Sequence, residues 1–288
     1  MKKIITCIIT LFLLAAPVSA EELIPVGQVI GLELGCSYLS IADFEEDSAA
    51  KAGGLQVGDR LLTIDGKAVT SLTDIRQALN CSKGSVSVTV QRAGKEKTLR
   101  IHPAITPNGP KLGVYLQQSI TGVGTVTYFD PDSRTFAALG HGVSTKDGQL
   151  AEMVEGNAFA ARVASVRKGQ SGQPGQLMGQ LTAREPLGKL TKNLPQGIFG
   201  QCRQGFAGNR LPTAKSHEIK TGEATVLCNV RGQTVEEYSV EILKVYPDSA
   251  PTGRNLLLKV TDQRLLDTTG GIVQGMGVSY NKDNQWNP

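Results

Sequence analysis

The chain has 288 residues, enough for two domains, and its 33 glycines, 13 prolines and 5 % aromatic content are typical of short strands joined by tight turns. The formal net charge is +4, of which Lys2 and Lys3 contribute two, leaving +2 for the remainder. This balance excludes an extended basic surface, so no nucleic-acid partner is expected.

The first twenty residues, "MKKIITCIITLFLLAAPVSA", combine two lysines, an apolar run and a small-residue ending at Ala20. These features predict a signal peptide over residues 1–20 and export across the cytoplasmic membrane. The alternative is an uncleaved membrane anchor formed by residues 4–18, although this run is shorter than the ~20 residues that comfortably span a bilayer.

Four cysteines follow the leader, and none of them shows the C-x-x-C spacing of a zinc or redox site, so no metal or cofactor is predicted. Two alternatives remain open for them. They form two disulfides, most simply Cys36 with Cys81 and Cys202 with Cys228, or they are buried thiols.

Residues 26–103 have the pattern of a small α+β domain. Strict alternation from Ser85 to Val90 predicts a half-buried strand, and a hairpin turn follows at residues 93–95. A helix is predicted to begin at Ser71, with Asp74 able to reach back to the cap. The stretch "AGGLQVGDRLLTIDGKAV" resembles the signature of bacterial PDZ domains.

This resemblance implies a peptide-binding groove. The backbone of Ile30, Gly31 and Leu32 would receive the C-terminal carboxylate of a peptide, which adds as an extra strand, and Ile75 and Leu79 would face it from the helix. Ile75 and Leu79 are four residues apart, however, and the alternative is that both are ordinary core residues.

After a linker at residues 104–110, a second domain is predicted over residues 111–288. A strand through Val123 and Tyr128 leads to a turn at Asp130, where Pro131 fixes φ and the aspartate can bond its own backbone. The next strand, residues 135–139, brings His141 between two glycines, where solvent and neighbouring side chains can reach it.

The segment "GVGTVTYFDPDSRTFAALGHGVS" resembles the catalytic-histidine segment of the SpoIVB family of sporulation serine peptidases. The blocks "ASVRKGQSGQPGQLMG", "LGKLTKNLPQGIFG" and "LLLKVTDQRLLDTTGGIVQGM" resemble later family segments in the same order. The resemblance implies a mainly β protein, with a chymotrypsin-like β-barrel peptidase domain after the PDZ-like domain. It also implies a protein substrate, a membrane-associated sporulation regulator, and a location between the two forespore membranes.

The resemblance places the family's histidine on His141 and its aspartate on Asp262, as base and orienting carboxylate. Asp267 is the competing acid and is expected to be a solvated turn residue. The family then has "GMSGSP" where this chain has "GMGVSY", so the nucleophile position holds Gly277. Ser279 and Ser171 are the weaker substitutes.

The ending "VSYNKDNQWNP" is polar and without strand alternation, which predicts a peptidase domain left incomplete at its C-terminus by truncation or frameshift. Two hypotheses result. Under the first, the chain is an exported SpoIVB-like serine endopeptidase by descent, which is inactive because it lacks its nucleophile. Under the second, it is a catalytically dead PDZ peptide-binding or scaffold protein.

Overall fold

The computed structural model describes residues 22–82, 84–145, 148–246, 255–276, 279–282 and 285–287. These residues are mainly β, with 58 % strand and 10 % helix, as the composition predicts. The proposed signal peptide and the alternative anchor lie outside the described residues. Within the described ranges, none of the helices has the length and apolar content needed to span a membrane.

The elements of the first half of the chain alternate short strands with two helices. They are β1 (Glu22–Pro25), β2 (Val29–Phe44), α1 (Ala49–Ala52), β3 (Arg60–Ile64), β4 (Lys67–Ala68), α2 (Leu72–Cys81), β5 (Val86–Arg92), β6 (Lys95–Ile101), β7 (Ala104–Thr106), β8 (Gly109–Lys111) and β9 (Val114–Asp130). The expected linker over residues 104–110 is therefore mostly the β7–β8 hairpin.

In the described residues of the second half the regular elements are strands, apart from one helix and a short 3-10 turn (Ser216–Glu218). The elements are β10 (Thr135–Ala138), β11 (Glu155–Arg167), β12 (Gln176–Leu194), β13 (Gly197–Cys202), β14 (Leu211–Pro212), β15 (Gly222–Arg231), β16 (Thr234–Val245), β17 (Leu256–Val260), α3 (Gln263–Thr269), β18 (Ser279–Lys282) and β19 (Gln285–Asn287).

Local sequence chemistry explains how α2 begins. The Ser71 hydroxyl accepts the Asp74 N–H at 3.2 Å, and the Asp74 carboxylate accepts the Ser71 N–H at 2.9 Å, which is the predicted capping box. Ile75 and Leu79 project from this helix into a core shared with β3 and β5. Both side chains are buried, which agrees with the interpretation of the pair as core residues.

The β5–β6 hairpin is confirmed in the predicted place. Ala93 and Gly94 form its turn with φ of 48° and 75°, the left-handed values that match the twist of a tight hairpin. Along β5 the alternating Val86, Val88 and Val90 are buried against α2, as the period of two predicts.

Six strands close into a barrel. β2 pairs with β9 on one side and β11 on the other, and the path from β9 runs through β10, β13 and β12 back to β11. A barrel of this size is filled by its own side chains. The interior is apolar, with Ile30, Leu32, Leu34, Val126, Phe136, Ala138, Ala158, Leu190 and Ile198 among its buried residues.

The small α+β module is inserted between two barrel strands. In the barrel, Gly35 of β2 is paired with Ser119 of β9, and the register between these strands shifts before Ser40 meets Gln117. The module therefore starts near residue 36 and ends near residue 118. This extent differs from the expected boundaries at residues 26 and 103, because residues 29–35 pair within the barrel and β9 completes the module.

A five-stranded sheet, in the order β17–β16–β15–β18–β19, packs with α3 against the far ends of β11 and β12. Its last two strands correct the expectation for the polar ending. β18 pairs with β15, placing Ser279 opposite Leu227, and β19 pairs with β18. The segment after residue 278 thus forms the strand pair that the lack of alternation argued against.

The four cysteines after the proposed leader are free thiols in the structure. Cys36, Cys202 and Cys228 are buried, whereas Cys81 is exposed at the end of α2. The buried-thiol alternative therefore describes three of the four residues, and neither suggested disulfide is formed.

Candidate active site

His141 lies exposed in the loop after β10, between Gly140 and Gly142. Its Nδ1 is 2.9 Å from the Gly142 carbonyl oxygen. A proton on Nδ1 donated to this carbonyl leaves Nε2 unprotonated, which is the form a general base requires. The loop can therefore set the tautomer of this histidine with its own backbone.

Asn193 braces the same loop from the end of β12. Its Oδ1 accepts the Val143 N–H at 2.9 Å, and its Nδ2 donates to the carbonyls of Val143 and Ala151 at 2.9 and 2.8 Å. One amide thus fixes both backbone groups of the residue two positions after His141. Sequence reasoning did not single out Asn193, because these backbone partners lie about 50 residues away in the chain.

Asp262 has partners other than His141. It caps the N-terminus of α3 by accepting the Arg264 N–H at 2.9 Å, and its Oδ2 is 2.9 Å from Arg264 Nη2. The hydrogen bond from Arg264 is the main reason why the pKa of this carboxyl is lowered. In the described part of the chain no hydrogen bond or ion pair joins Asp262 to His141. Asp267 is exposed, as expected of a solvated residue, but it lies in helix α3 and not in a turn.

A turn of residues 273–276 leads to the position where the nucleophile is expected. Met276 N–H donates to Val273 O at 3.1 Å, and Gly275 takes φ of 93°. The turn is tied to β9, where Thr125 Oγ1 donates to Gly275 O at 2.8 Å. Because Thr125 O accepts the N–H of Leu139, the same residue also contacts the strand that leads to His141.

The three remaining candidates for the nucleophile position are placed differently. Gly277 lies outside the described residues. Ser279 lies in β18, opposite Leu227, and only its backbone is described. Ser171 is exposed in the loop between β11 and β12.

Residues Ile30, Gly31 and Leu32 do not form a peptide-binding loop. They lie inside the barrel strand β2, paired with Gly122–Gly124 of β9 on one side and with Ala158–Ala160 of β11 on the other. Both edges of this segment are therefore occupied by the chain itself. A Cβ added at Gly31 would also lie 2.1 Å from the side chain of Leu181.

An unpaired strand edge exists instead at the start of β9. Within residues 114–118, Val114 to Gln117 pair with β2 on one side, and among the described residues no strand pairs with the other side. The N-terminus of α2 lies close to this edge, because Gln118 Nε2 donates to Thr70 O at 3.2 Å. The helix also contacts β8, which directly precedes β9. Gly113, with φ of 72°, turns the chain into the edge.

Comparison with known proteins finds a family model for each of the two parts of the chain. Residues 108–284 match the family model described as SpoIVB peptidase S55, and residues 41–92 match the PDZ domain model. The first match is more than half of the chain and continues through β18. The PDZ match falls within the inserted module.

Curated relatives cover smaller parts of the chain. A protein named as a zinc metalloprotease of Agrobacterium fabrum is 37 % identical over 86 residues, which is 30 % of this chain and 23 % of the relative. A protein of the same designation from Rhizobium meliloti is 28 % identical over 152 residues, which is 49 % of this chain and 40 % of the relative. A DegP-like periplasmic serine endoprotease of Pseudomonas fluorescens is 29 % identical over 128 residues, which is 41 % of this chain and 26 % of the relative.

The chain thus spans 23 to 40 % of the length of these relatives. Among the described residues, no group of three or more His, Cys, Asp or Glu side chains is placed to hold a metal ion. The match over residues 108–284 includes His141, Thr125 and the turn that Thr125 contacts. The chain therefore belongs to the SpoIVB peptidase S55 family and carries a PDZ domain.

Proposed function

We propose that the chain is an exported serine endopeptidase by descent, of the type that cleaves a membrane-associated regulatory protein in sporulation signalling, and that it is inactive with Gly277 at the nucleophile position. The observation that carries this proposal is the exposed His141, whose loop is braced by Asn193 while the turn before residue 277 is held at Thr125. A serine at position 277 would present its hydroxyl to this base, whereas glycine has no proton to transfer or oxygen to acylate.

Loss of the nucleophile from such a triad typically lowers the rate by a factor of about 10⁶. Restoring the nucleophile should give some activity, because β18 and β19 already follow the nucleophile position. This activity should be incomplete, because Asp262 pairs with Arg264. A histidine that lacks its orienting carboxylate loses about 10⁴ in kcat in the best-studied triad. We therefore expect activity well above background and well below that of an intact family member.

The test uses residues 21–288 and their Gly277→Ser variant, each treated with a serine-reactive fluorophosphonate and with unfolded casein. The unmodified chain should not be labelled, and Gly277→Ser should be labelled and should hydrolyse casein. His141→Ala in the Gly277→Ser background is the matched control and should remove both signals. Labelling of the unmodified chain that disappears in Ser279→Ala or Ser171→Ala would assign the nucleophile to that serine instead.

The second function, peptide binding by the PDZ domain, is favoured by the unpaired edge of residues 114–118. An extended peptide can add there as a further strand between β9 and α2, and its terminal carboxylate would lie near Gly113. Leu72, which is 55 % exposed on the first turn of α2, would contact a peptide side chain. Peptide binding needs no nucleophile, so the unmodified chain would retain it.

Calorimetry with C-terminal heptapeptides ending in Val or Leu, and with their amidated counterparts, tests this groove. Leu72→Ser should weaken binding about threefold to tenfold, since an apolar contact of this size contributes roughly 1 kcal/mol. Ile105→Ser, at an 83 % exposed residue of the β7–β8 hairpin, is the matched control and should not change the affinity. Equal effects of both substitutions would place the groove elsewhere.

Export is the third part of the proposal, and the leader sequence supports it. The mature chain is expected to begin near Glu21 outside the cytoplasmic membrane. Mass spectrometry of the N-terminal peptide decides between cleavage after Ala20 and an anchor retained through residues 4–18, which would leave Met1 to Ala20 intact in membrane fractions.

A further inference from the structure

Thr125 is a fully buried polar residue in the middle of β9. Its hydroxyl donates to the Gly275 carbonyl at 2.8 Å, a contact that spans 150 residues of sequence. Its own carbonyl accepts the N–H of Leu139 at 3.0 Å. One residue therefore contacts the two segments that lead to His141 and to residue 277.

The contact with Gly275 fixes the direction of the chain at the end of the turn. The carbonyl of Gly275 and the N–H of Met276 belong to one planar peptide and point in opposite directions. Thr125 holds the carbonyl, and Val273 O accepts the N–H at 3.1 Å. A peptide held on both sides cannot rotate freely, so the orientation of the Gly275–Met276 peptide at the end of the turn is set.

The contact with Leu139 acts on the histidine side. Leu139 is buried and has φ of 62°, a left-handed conformation that is uncommon for a leucine and costs energy. It lies two residues before His141, and the hydrogen bond to Thr125 O helps to hold it there. Gly124 leaves space for its side chain, since a Cβ added at that glycine would lie 3.0 Å from Leu139 Cγ.

We propose that Thr125 is a positioning residue, which sets the separation between the segment that carries His141 and the turn of residues 273–276 that precedes the nucleophile position. This inference rests on the proposed function, because it takes His141 as the base and residue 277 as the nucleophile position. Thr125 is buried and acts through Leu139 and Gly275, so it does not touch the substrate. A displacement of ~1 Å between reacting groups can lower a rate about a hundredfold.

The test compares Thr125→Val, which keeps the shape and removes the hydroxyl, with Thr125→Ser, which keeps the hydroxyl. Thr127→Val is the matched control, because Thr127 is a second buried threonine two residues along the same strand. Thermal melting shows whether each variant folds. If Thr125→Val does not fold, Thr125→Cys takes its place as the variant with a much weaker donor.

Amide hydrogen exchange is measured first, in the chain without any change at residue 277. Thr125→Val should speed exchange in the peptide that contains residues 273–276 by roughly 10- to 100-fold, as expected when a buried carbonyl loses its donor. Thr125→Ser should stay within about threefold of the unmodified chain, and Thr127→Val should leave this peptide unchanged. Equal exchange in the Val and Ser variants overturns the proposal.

Peptidase activity is measured second, in the Gly277→Ser background. Thr125→Val should lower kcat at least about tenfold with KM nearly unchanged, and Thr125→Ser should restore kcat. If kcat falls in proportion to the loss of melting temperature in Thr125→Val, Thr125→Ser and Thr127→Val alike, Thr125 is an ordinary core residue. If Gly277→Ser itself is inactive, the proposed function fails, while the exchange result still decides the role of Thr125.

Discussion

Replacing Arg92 by Met should destabilise the PDZ domain strongly, because it leaves a carboxylate buried without its charge partner. Asp59 is 1 % exposed and Arg92 19 %. Arg92 Nε and Nη2 donate to the two Asp59 oxygens at 2.7 and 2.6 Å, and Asp59 Oδ2 also accepts the Gln56 N–H at 2.9 Å. Removing one partner of a buried pair costs roughly 3 to 5 kcal/mol.

The lower end of that range applies here, since the arginine retains some contact with water. A loss of about 3 kcal/mol corresponds to a factor of roughly 150 in the unfolding equilibrium. Hydrogen exchange of β3, which lies in the core of the PDZ domain, measures this loss directly. The exchange of barrel strands such as β13 should change less, because they do not share that core.

The chain offers a matched control in Arg210, which also makes two hydrogen bonds to one aspartate. Arg210 Nη1 and Nη2 donate to Asp132 at 2.9 and 2.6 Å, but these side chains are 43 % and 73 % exposed. Arg210→Met should therefore cost less than about 1 kcal/mol. Similar losses in both variants, or a loss below about 1 kcal/mol for Arg92→Met, would refute the argument that burial decides the contribution of the pair.

Three further predictions follow from the barrel and its neighbouring sheet. Asn193→Asp keeps an acceptor for Val143 N–H but replaces the donor to two carbonyls by an oxygen, so amide hydrogen exchange at Val143 should rise about tenfold or more. Unchanged exchange would show that Asn193 does not brace the loop. Burial raises the pKa of Cys228 to about 12, so iodoacetamide at pH 8 should label exposed Cys81 within minutes and Cys228 only after unfolding. Gly31→Val should lower barrel stability by about 1 to 3 kcal/mol without changing peptide affinity, and weaker binding at unchanged stability would return the groove to that strand.

Features encoded within a few residues could be predicted from the sequence. The capping box of Ser71 and Asp74 and the turn at Ala93 and Gly94 depend only on local hydrogen bonds and backbone sterics. The turn at Asp130 also forms as expected, with its carboxylate accepting the Asp132 N–H at 2.9 Å. Each of these needs no information about distant strands.

Strand partners were harder to predict, because they depend on distant parts of the chain. The apolar pattern of residues 29–35 suits a barrel strand as well as it suits a PDZ loop and strand. Only the pairing with β9 and β11 distinguishes the two. β18 lacks the alternation of a half-buried strand. It forms nonetheless, because the edge of β15 supplies backbone hydrogen bonds whatever the side chains are.

The site was predictable in part for the same reason. The glycines around His141 indicated an accessible histidine, and the structure has it exposed. Asn193 and Thr125 lie in segments that the sequence resemblance had already matched, yet neither was recognised. Their partners are backbone groups up to 150 residues away, and a hydroxyl or amide carries no local sign of which carbonyl it will meet.

The nested arrangement of the PDZ domain determines how the molecule can be divided. The chain leaves the barrel at Gly35 and re-enters at Ser119, and these two residues face each other across an antiparallel pair, where Cα atoms are typically only about 5 Å apart. A cut at residues 104–110 would separate β2 from its partner β9 and leave an unpaired strand edge in each fragment. Excision of residues 36–118 with a short turn in their place would instead keep the barrel portions of β2 and β9, residues 29–35 and 119–130, as expected of a module gained by insertion into a hairpin.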